Sequence, residues 1–383
     1  MRAYVFTDKS LTSEAGRFVW LEMDNEKAVN RTLSKKLDVR ALPSFFILDP
    51  KDERIAVRWI GGMSLDQLKK MLADGRTEVN GGGGTSPADT MFARAERLYG
   101  ASDNPGAAQA YLAALAVAPA GWNHEARATE SALFALSEID SNEAIAKLSE
   151  RELPRLKGTV SSANVAGSGL SAAVALPKEH PRRAEWIAMF EKASNEIAVD
   201  PSIPLSGDDR SGLYIGLLDA RKDANDSLGA RRVAEAWSKA LDDAAAKAPT
   251  PDARTVYDSH RLSAYVELGQ PEKAVPMLQL SEKDFPDDYN PPARLAIAYR
   301  NMKKYPEALA ASDRALSKVY GPRTLTVLNA RTDIYLAMGD TTGARGNLEK
   351  TIVAAGNVLE KDRAERFIPT VQKRIDGLKR PSP

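Results

Sequence analysis

Tyr265-Val-Glu-Leu-Gly269, Tyr299-Arg-Asn-Met-Lys303 and Tyr335-Leu-Ala-Met-Gly339 are one phrase written three times inside the stretch Val256–Ala355. The tyrosines stand 34 residues (265 to 299) and 36 residues (299 to 335) apart. Nine places after each comes a small residue, Ala274, Ala308 or Ala344, and Pro286 follows the first unit where a second helix should stop. This register predicts pairs of antiparallel helices. The turn inside each pair needs a residue that tolerates positive φ, and glycine supplies it in two units of the three. The alanine belongs where two helices cross closely, and the tyrosine fills the space between pairs. A single pair cannot bury its own apolar face, so the pairs must stack.

A period near 34 with an aromatic, a glycine and an alanine in register resembles the tetratricopeptide repeat. The family's opening tryptophan is missing from every unit, and its closing proline is clear only in the first. The resemblance implies an all-α solenoid whose first helices line a concave face that binds protein or peptide. It places Ser259, Ser263, Asn290, Arg294, Ile297, Arg300, Asn301, Asn329 and Asp333 on or near that groove. Arginine and asparagine suit extended peptide backbone and carboxylates. The amphipathic stretch 360–378, with Phe367, Ile368, Val371 and Ile375 on one face, reads as the helix that closes the array.

The chain has 383 residues, 43% hydrophobic and 27% charged, which fits two or three folded domains. A net charge of +1 gives no electrostatic reason to expect a nucleic-acid partner. No apolar run is long enough to cross a bilayer, and residues 1–7 lack the apolar core of a signal peptide. There is no cysteine, so disulfides and thiol chemistry are absent from this chain.

Toward the N-terminus, Phe18–Met23 reads as a strand, 26–37 as a helix with Ala28, Val29 and Leu33 on one side, and Ser44–Leu48 and 55–59 as a hairpin closed by Asp49-Pro-Lys-Asp52. Ser64 should cap a last helix that turns Leu65, Leu68, Met71 and Leu72 inward. The order strand, helix, strand, strand, helix, with the stretches FVWLEMDNE and LDVRALPSFFILDP and the Gly61-Gly62 pair, resembles the later part of a thioredoxin fold. The resemblance implies that Pro43 is the family's cis-proline and that Leu42, Pro43 and Ser44 form a peptide-binding edge. The first strand and the Cys-x-x-Cys of that family have no counterpart. Residues 1–6 read as the body of the first helix, so the missing strand would lie upstream of Met1 or be lost from a redox-inactive domain.

Asn80–Pro87 is glycine-rich and reads as a flexible linker; a phosphate-binding loop would need a Lys-Ser/Thr after its last glycine. The parts on either side are expected to fold separately and to move. The remainder reads as helices: 88–99 and 107–118 turned by Asn104-Pro-Gly106; 122–139 and 142–153; a weak small-residue helix at 161–176; one starting at Pro181; one capped by Asp208 and Asp209; and 227–247. The expected plan is therefore multidomain: 1–78 thioredoxin-like α/β, 79–87 linker, 88–250 helical hairpins, and 251–383 tetratricopeptide-like repeats with a closing helix.

His124, His180 and His260 do not share a helix or a ligand motif, so no metal or other cofactor is expected. Asp287, Asp288 and Asn290 read as caps on the next helix, and Tyr320-Gly-Pro-Arg323 as an inter-repeat turn, although an arginine fixed beside proline can also bind a carboxylate. No nucleophile elbow, zinc motif or Walker loop is present, so no catalytic residue is assigned. The first reading is a non-catalytic protein-interaction scaffold. The alternative is a thiol–disulfide oxidoreductase whose cysteines lie upstream, with the repeats recruiting substrates. Compartment follows the same fork: cytoplasmic for the chain as given, periplasmic or secreted if a signal segment precedes it.

Overall fold

Helix ends decide how this chain folds back on itself. At Gly269, Lys303 and Gly339 the backbone enters positive φ, at 69°, 60° and 75°. In each case the amide one residue further on donates to the tyrosine carbonyl five residues back: Gln270 to Tyr265 at 2.8 Å, Lys304 to Tyr299 at 2.9 Å and Asp340 to Tyr335 at 2.9 Å. This left-handed cap satisfies carbonyls that the helix itself leaves free. The computed structural model describes residues 5–39, 42–81 and 86–378. Within them the same cap recurs at Ser102 (Asp103 amide to Leu98), Asp140 (Ser141 to Leu136) and Asn225 (Asp226 to Arg221). Helical hairpins with this turn therefore also occur upstream of the three units that are plain in the sequence.

By contact density the chain forms two compact units, Met1–Val19 with Leu37–Trp237, and Trp20–Lys36 with Ser238–Pro383. The division falls within helix Ser227–Ala246 and cuts across the sequence divisions at 78 and 250.

The second unit contains three hairpins: Asp258–Glu267 with Ala274–Asp284, Asn290–Asn301 with Tyr305–Leu316, and Arg323–Ala337 with Thr341–Val358. Ala274, Ala308 and Ala344 are all fully buried, as close crossings require. Leu262, Tyr265, Leu278, Leu295, Ala308 and Ile334 belong to one apolar cluster that runs through successive hairpins. Each tyrosine keeps the same backbone place. Two hydroxyls share a partner type, Tyr265 and Tyr335 each accepting from the arginine four residues back (Arg261 at 3.5 Å, Arg331 at 3.4 Å); Tyr265 also donates to Asp242 at 2.6 Å, and Tyr299 accepts from Gln279 at 3.4 Å. Helix Lys361–Gly377 buries Val371 and Ile375 against Leu348, with Phe367 beside them. The Arg345 guanidinium donates to the Ile375 and Leu378 carbonyls, each at 3.1 Å, and so covers that helix's C-terminus.

The first unit joins a two-stranded antiparallel sheet to helical hairpins. Strand β1 (Ser44–Leu48) pairs with β2 (Ile55–Ile60) in the register Ser44↔Ile60 to Leu48↔Ile55. The Leu42–Pro43 peptide is cis, as expected. Ser64 caps helix Leu65–Val79 with a reciprocal box to Gln67, and Leu68, Met71 and Leu72 are buried under the sheet. Helix Ser161–Ala175 packs tightly through small residues: a Cβ at Gly169 would stand 2.7 Å from the Phe190 ring and 2.8 Å from Ser149.

Several expectations are corrected. Phe18–Met23 is not a strand; Val19 and Leu21 are exposed, and among the described residues the sheet has only two strands. An extended run becomes a strand only where a neighbour supplies its backbone hydrogen bonds. The helix expected at 26–37 shrinks to Ala28–Asn30 in 3-10 form and Arg31–Lys36, with no buried residue in either and Val29 exposed. Residues 5–7 are a turn leading to the 3-10 helix Lys9–Glu14, capped by Asp8, rather than the body of a longer helix. Residues 1–4, Arg40 and Ala41, the glycine core of the linker at 82–85, and 379–383 lie outside the described residues.

The parts flanking the linker do not separate. Ile60 of β2 packs against the apolar cluster of the helices that follow, and Gly100 lies against Ile55. Asn104-Pro-Gly106 opens helix Asn104–Val117; the turn is Ala101–Asp103. Pro181 precedes a helix that starts at Arg183, and Ser206, with Asp209 at N3, caps helix Gly207–Asp223 where Asp208 and Asp209 were expected to.

Candidate interaction surface

The positions assigned to the concave face lie on the first helices of the three hairpins, but they do not act alike. Ser263 Oγ donates to the Ser259 carbonyl at 3.1 Å, and Asn301 Nδ2 donates to the Ile297 carbonyl at 2.8 Å, so these polar groups lean on their own helices. Asn290 is engaged by Asp288, whose Oδ1 accepts from both its amide and its side chain at 2.8 Å; the N-cap position itself is Tyr289, which makes no side-chain cap bond, so of the three expected caps only Asp288 covers a helix-start amide. Ile297 is half-buried against the apolar cluster. Arg294 is half-buried, and desolvation holds its guanidinium pKa below the usual value despite Asp258 and Asp288 nearby. Asp258, fully buried, is pushed up by desolvation even though it accepts from Ser281 Oγ at 2.6 Å. Arg294 thus faces inward more than a groove contact would.

The positions brought together are Arg300, Asn329 and Asp333. Arg300 Nη1 lies 3.4 Å from Asp333 Oδ2, spanning the second and third hairpins. Arg374 of the closing helix lies 3.7 Å from the other carboxylate oxygen and donates to Asn329 Oδ1 at 3.2 Å. Arg374 was not anticipated; its only signal was a basic residue on the polar side of an amphipathic terminal helix. All three charged side chains keep substantial exposure, 28% for Arg300, 49% for Asp333 and 43% for Arg374. Exposed pairs of this kind contribute roughly 0–1 kcal/mol each, so a competing carboxylate or backbone carbonyl could replace them.

A second polar cluster was missed entirely. In the first unit Arg127, 6% exposed, pairs with Asp74 at 2.9 Å and with Glu96, stacks over Phe92 at 4.7 Å, and Tyr111 donates to Glu96 at 2.6 Å. Burial, then the Glu96 charge, pushes the Tyr111 phenol well above its usual range. Asp74 is held below the usual carboxylate range: burial opposes this, and the His124 hydrogen bond and the Arg127 charge outweigh it. Close by, burial raises Glu130 to about 7, with Ser161 and Asn164 opposing. These groups tie helix Leu65–Val79 to helices Pro87–Gly100 and Glu125–Ser137. His124 stacks on Phe92 and His180 on Trp186. No set of three or more metal-ligating side chains is gathered among the described residues.

Leu42 and Pro43 are exposed beside β1, and the Pro43 carbonyl accepts from the Gly61 amide at 2.9 Å. The arginine of the Tyr320–Arg323 turn does bind a carboxylate, that of Glu26 in the same chain, at 2.6 Å.

The repeated caps, buried alanines and shared core define a helical-repeat protein built of stacked hairpins. No family model matches the chain, and no curated protein matches it. Among solved structures it is similar to a chain of the crystal structure of the APC/C hetero-tetramer Cut9-Hcn1, with 15% identity and a TM-score of 0.36 over 83% of this chain. The chain spans 56% of that chain's length. A likeness at that score does not by itself decide the fold. Among the described residues no helix is long and apolar enough to cross a membrane.

Proposed function

We propose that the chain is a non-catalytic protein-interaction scaffold that binds an extended peptide along the first helices of its repeats. The observation that carries this is the exposed Arg300–Asp333–Arg374 relay with Asn329, which offers donors and acceptors across adjacent hairpins without locking them away. Asn301, Ser259 and Ser263 extend the same band as exposed or half-buried positions whose internal bonds are local. A side chain already paired on the surface loses little when it changes partner, which suits reversible recognition. The reading takes a protein or peptide as partner and needs no cofactor.

The exposed Leu42 and Pro43 beside the β1–β2 hairpin, with Ser44 at the start of β1, are proposed as a second peptide-binding edge. With no cysteine in the chain, that edge is proposed for binding and not for thiol exchange.

The test is a random-peptide display selection on the full chain, with R300A/D333A as comparator. Selected peptides should bind the variant at least about tenfold more weakly, a loss of ~1.4 kcal/mol, while its circular dichroism and melting stay unchanged. Peptides that bind both proteins equally would refute the groove.

A further inference from the structure

The turn between the second and third hairpins carries contacts that stacking does not require. Tyr320-Gly-Pro-Arg323 holds two carboxylates, both from one short stretch of the same unit. The Tyr320 hydroxyl donates to Asp24 Oδ2 at 2.6 Å, and Arg323 Nε donates to Glu26 Oε1 at 2.6 Å. Between them Gly321 sits at φ +59°, and a Cβ there would collide with the Glu26 carbonyl oxygen. The floor of the contact is therefore bare backbone. The acidic stretch is itself shaped: Asp24 Oδ1 accepts from the Glu26 amide at 2.9 Å, and Asn30 Nδ2 donates to the Asp24 carbonyl at 2.8 Å. Further along, Arg31 donates to the Val358 carbonyl at 2.6 Å and Lys35 lies 3.4 Å from Glu360.

The two short helical turns that follow the acidic stretch are shallowly packed. No residue of Ala28–Asn30 or Arg31–Lys36 is buried, and Val29 is 83% exposed. Charged and polar contacts of this kind are individually weak in water. Because the acidic stretch belongs to the same chain, a free peptide has to compete with an intramolecular copy.

We infer that the Tyr320–Arg323 turn is a docking site for acidic peptides presenting Asp-x-Glu in a non-helical turn, and that residues 24–26 occupy it as a displaceable internal ligand. A phenol and a guanidinium at fixed separation match two carboxylates two residues apart, and the glycine admits the peptide backbone between them. The site uses the inter-hairpin turn and not the first-helix groove, so it stands or falls apart from the groove reading. A partner would have to compete with the tethered copy, which makes binding conditional on its release.

The test is fluorescence anisotropy of a fluorescein-labelled peptide with the sequence of residues 20–36, titrated with the full chain. The D24N/E26Q chain, whose internal ligand is disabled, should bind the peptide at least about tenfold more tightly than the unmodified chain. Adding R323E should abolish that gain, and Y320F should reduce it with no change of charge. Circular dichroism at 222 nm identifies any variant that fails to fold. In a chain carrying R323E alone, amides of residues 24–36 should exchange hydrogen faster. Equal affinity of the unmodified and D24N/E26Q chains, a gain that survives R323E and Y320F, or unchanged exchange in 24–36 would each overturn the inference.

Discussion

Lys303 and Gly339 occupy equivalent turns, so replacing each should move stability in opposite directions. At Gly339, φ is +75° and a Cβ would meet nothing within 4 Å. The cost of Gly339→Ala is then purely conformational: ~1–2 kcal/mol for a left-handed residue with a Cβ, offset by ~0.4–1 kcal/mol from the stiffer unfolded chain. The net is a loss of about 1 kcal/mol. At Lys303, φ is +60° and the side chain is exposed, so the same terms run backwards. Lys303→Gly should gain about 0.5–1 kcal/mol. Hydrogen exchange read by mass spectrometry on helices Tyr305–Leu316 and Thr341–Val358 reports each turn locally. About 1 kcal/mol corresponds to roughly a fivefold change in protection. If Lys303→Gly loosens its helix as much as Gly339→Ala loosens the other, the turns are not equivalent and the repeat description fails.

Asp340 accepts from the Gly343 amide at 2.8 Å, and Asp340→Ala should cost about 1 kcal/mol, read as a lower urea midpoint with an unchanged slope. Arg127→Met leaves Asp74 and Glu96 without their buried partner and should cost about 3–5 kcal/mol by thermal melting; Arg127→Met behaving like the unmodified chain would show that the cluster carries no stability. Glu130 titrates near 7 in the folded chain against 4.5 unfolded, so the fold binds its proton more tightly. Its contribution is full below pH 4.5 and is lost as pH rises through 7. Melting temperatures of E130Q and the unmodified chain should therefore diverge across that window, with E130Q the less pH-sensitive; parallel curves would refute the raised pKa.

The array between residues 256 and 355 was legible because its signals are local. A tyrosine, a left-handed position and a buried alanine recur in fixed register, and Lys303 obeys the rule even without glycine. The upstream hairpins were expected as helices, but their shared register was harder to see, because Ser102, Asp140 and Asn225 take the same turn without glycine and Leu98, Leu136 and Arg221 stand at the tyrosine's place. A usable signal was overlooked there: Asp103, Asp226 and Asp340 each accept from the amide of a glycine three residues on, Gly106, Gly229 and Gly343. In all three, a Cβ on that glycine would overlap the capping carboxylate. Residues 18–36 were misread because strand pattern and pairing are different things. The sequence shows an apolar run, but only the fold shows that this run joins no strand of the sheet among the described residues and that Tyr320 and Arg323 take up the acidic groups that follow it. Arg374 could not be assigned to Asp333 for a like reason: the two lie 41 positions apart (333 to 374), and nothing local joins them.

The most direct measurement is a hydrogen-exchange footprint of the full chain with and without a peptide selected on it. Protection is expected on helices Asn290–Asn301, Arg323–Ala337 and Lys361–Gly377, where Arg300, Asp333 and Arg374 meet. Protection confined to other helices, with these three unchanged, would contradict a peptide-binding face on the repeats.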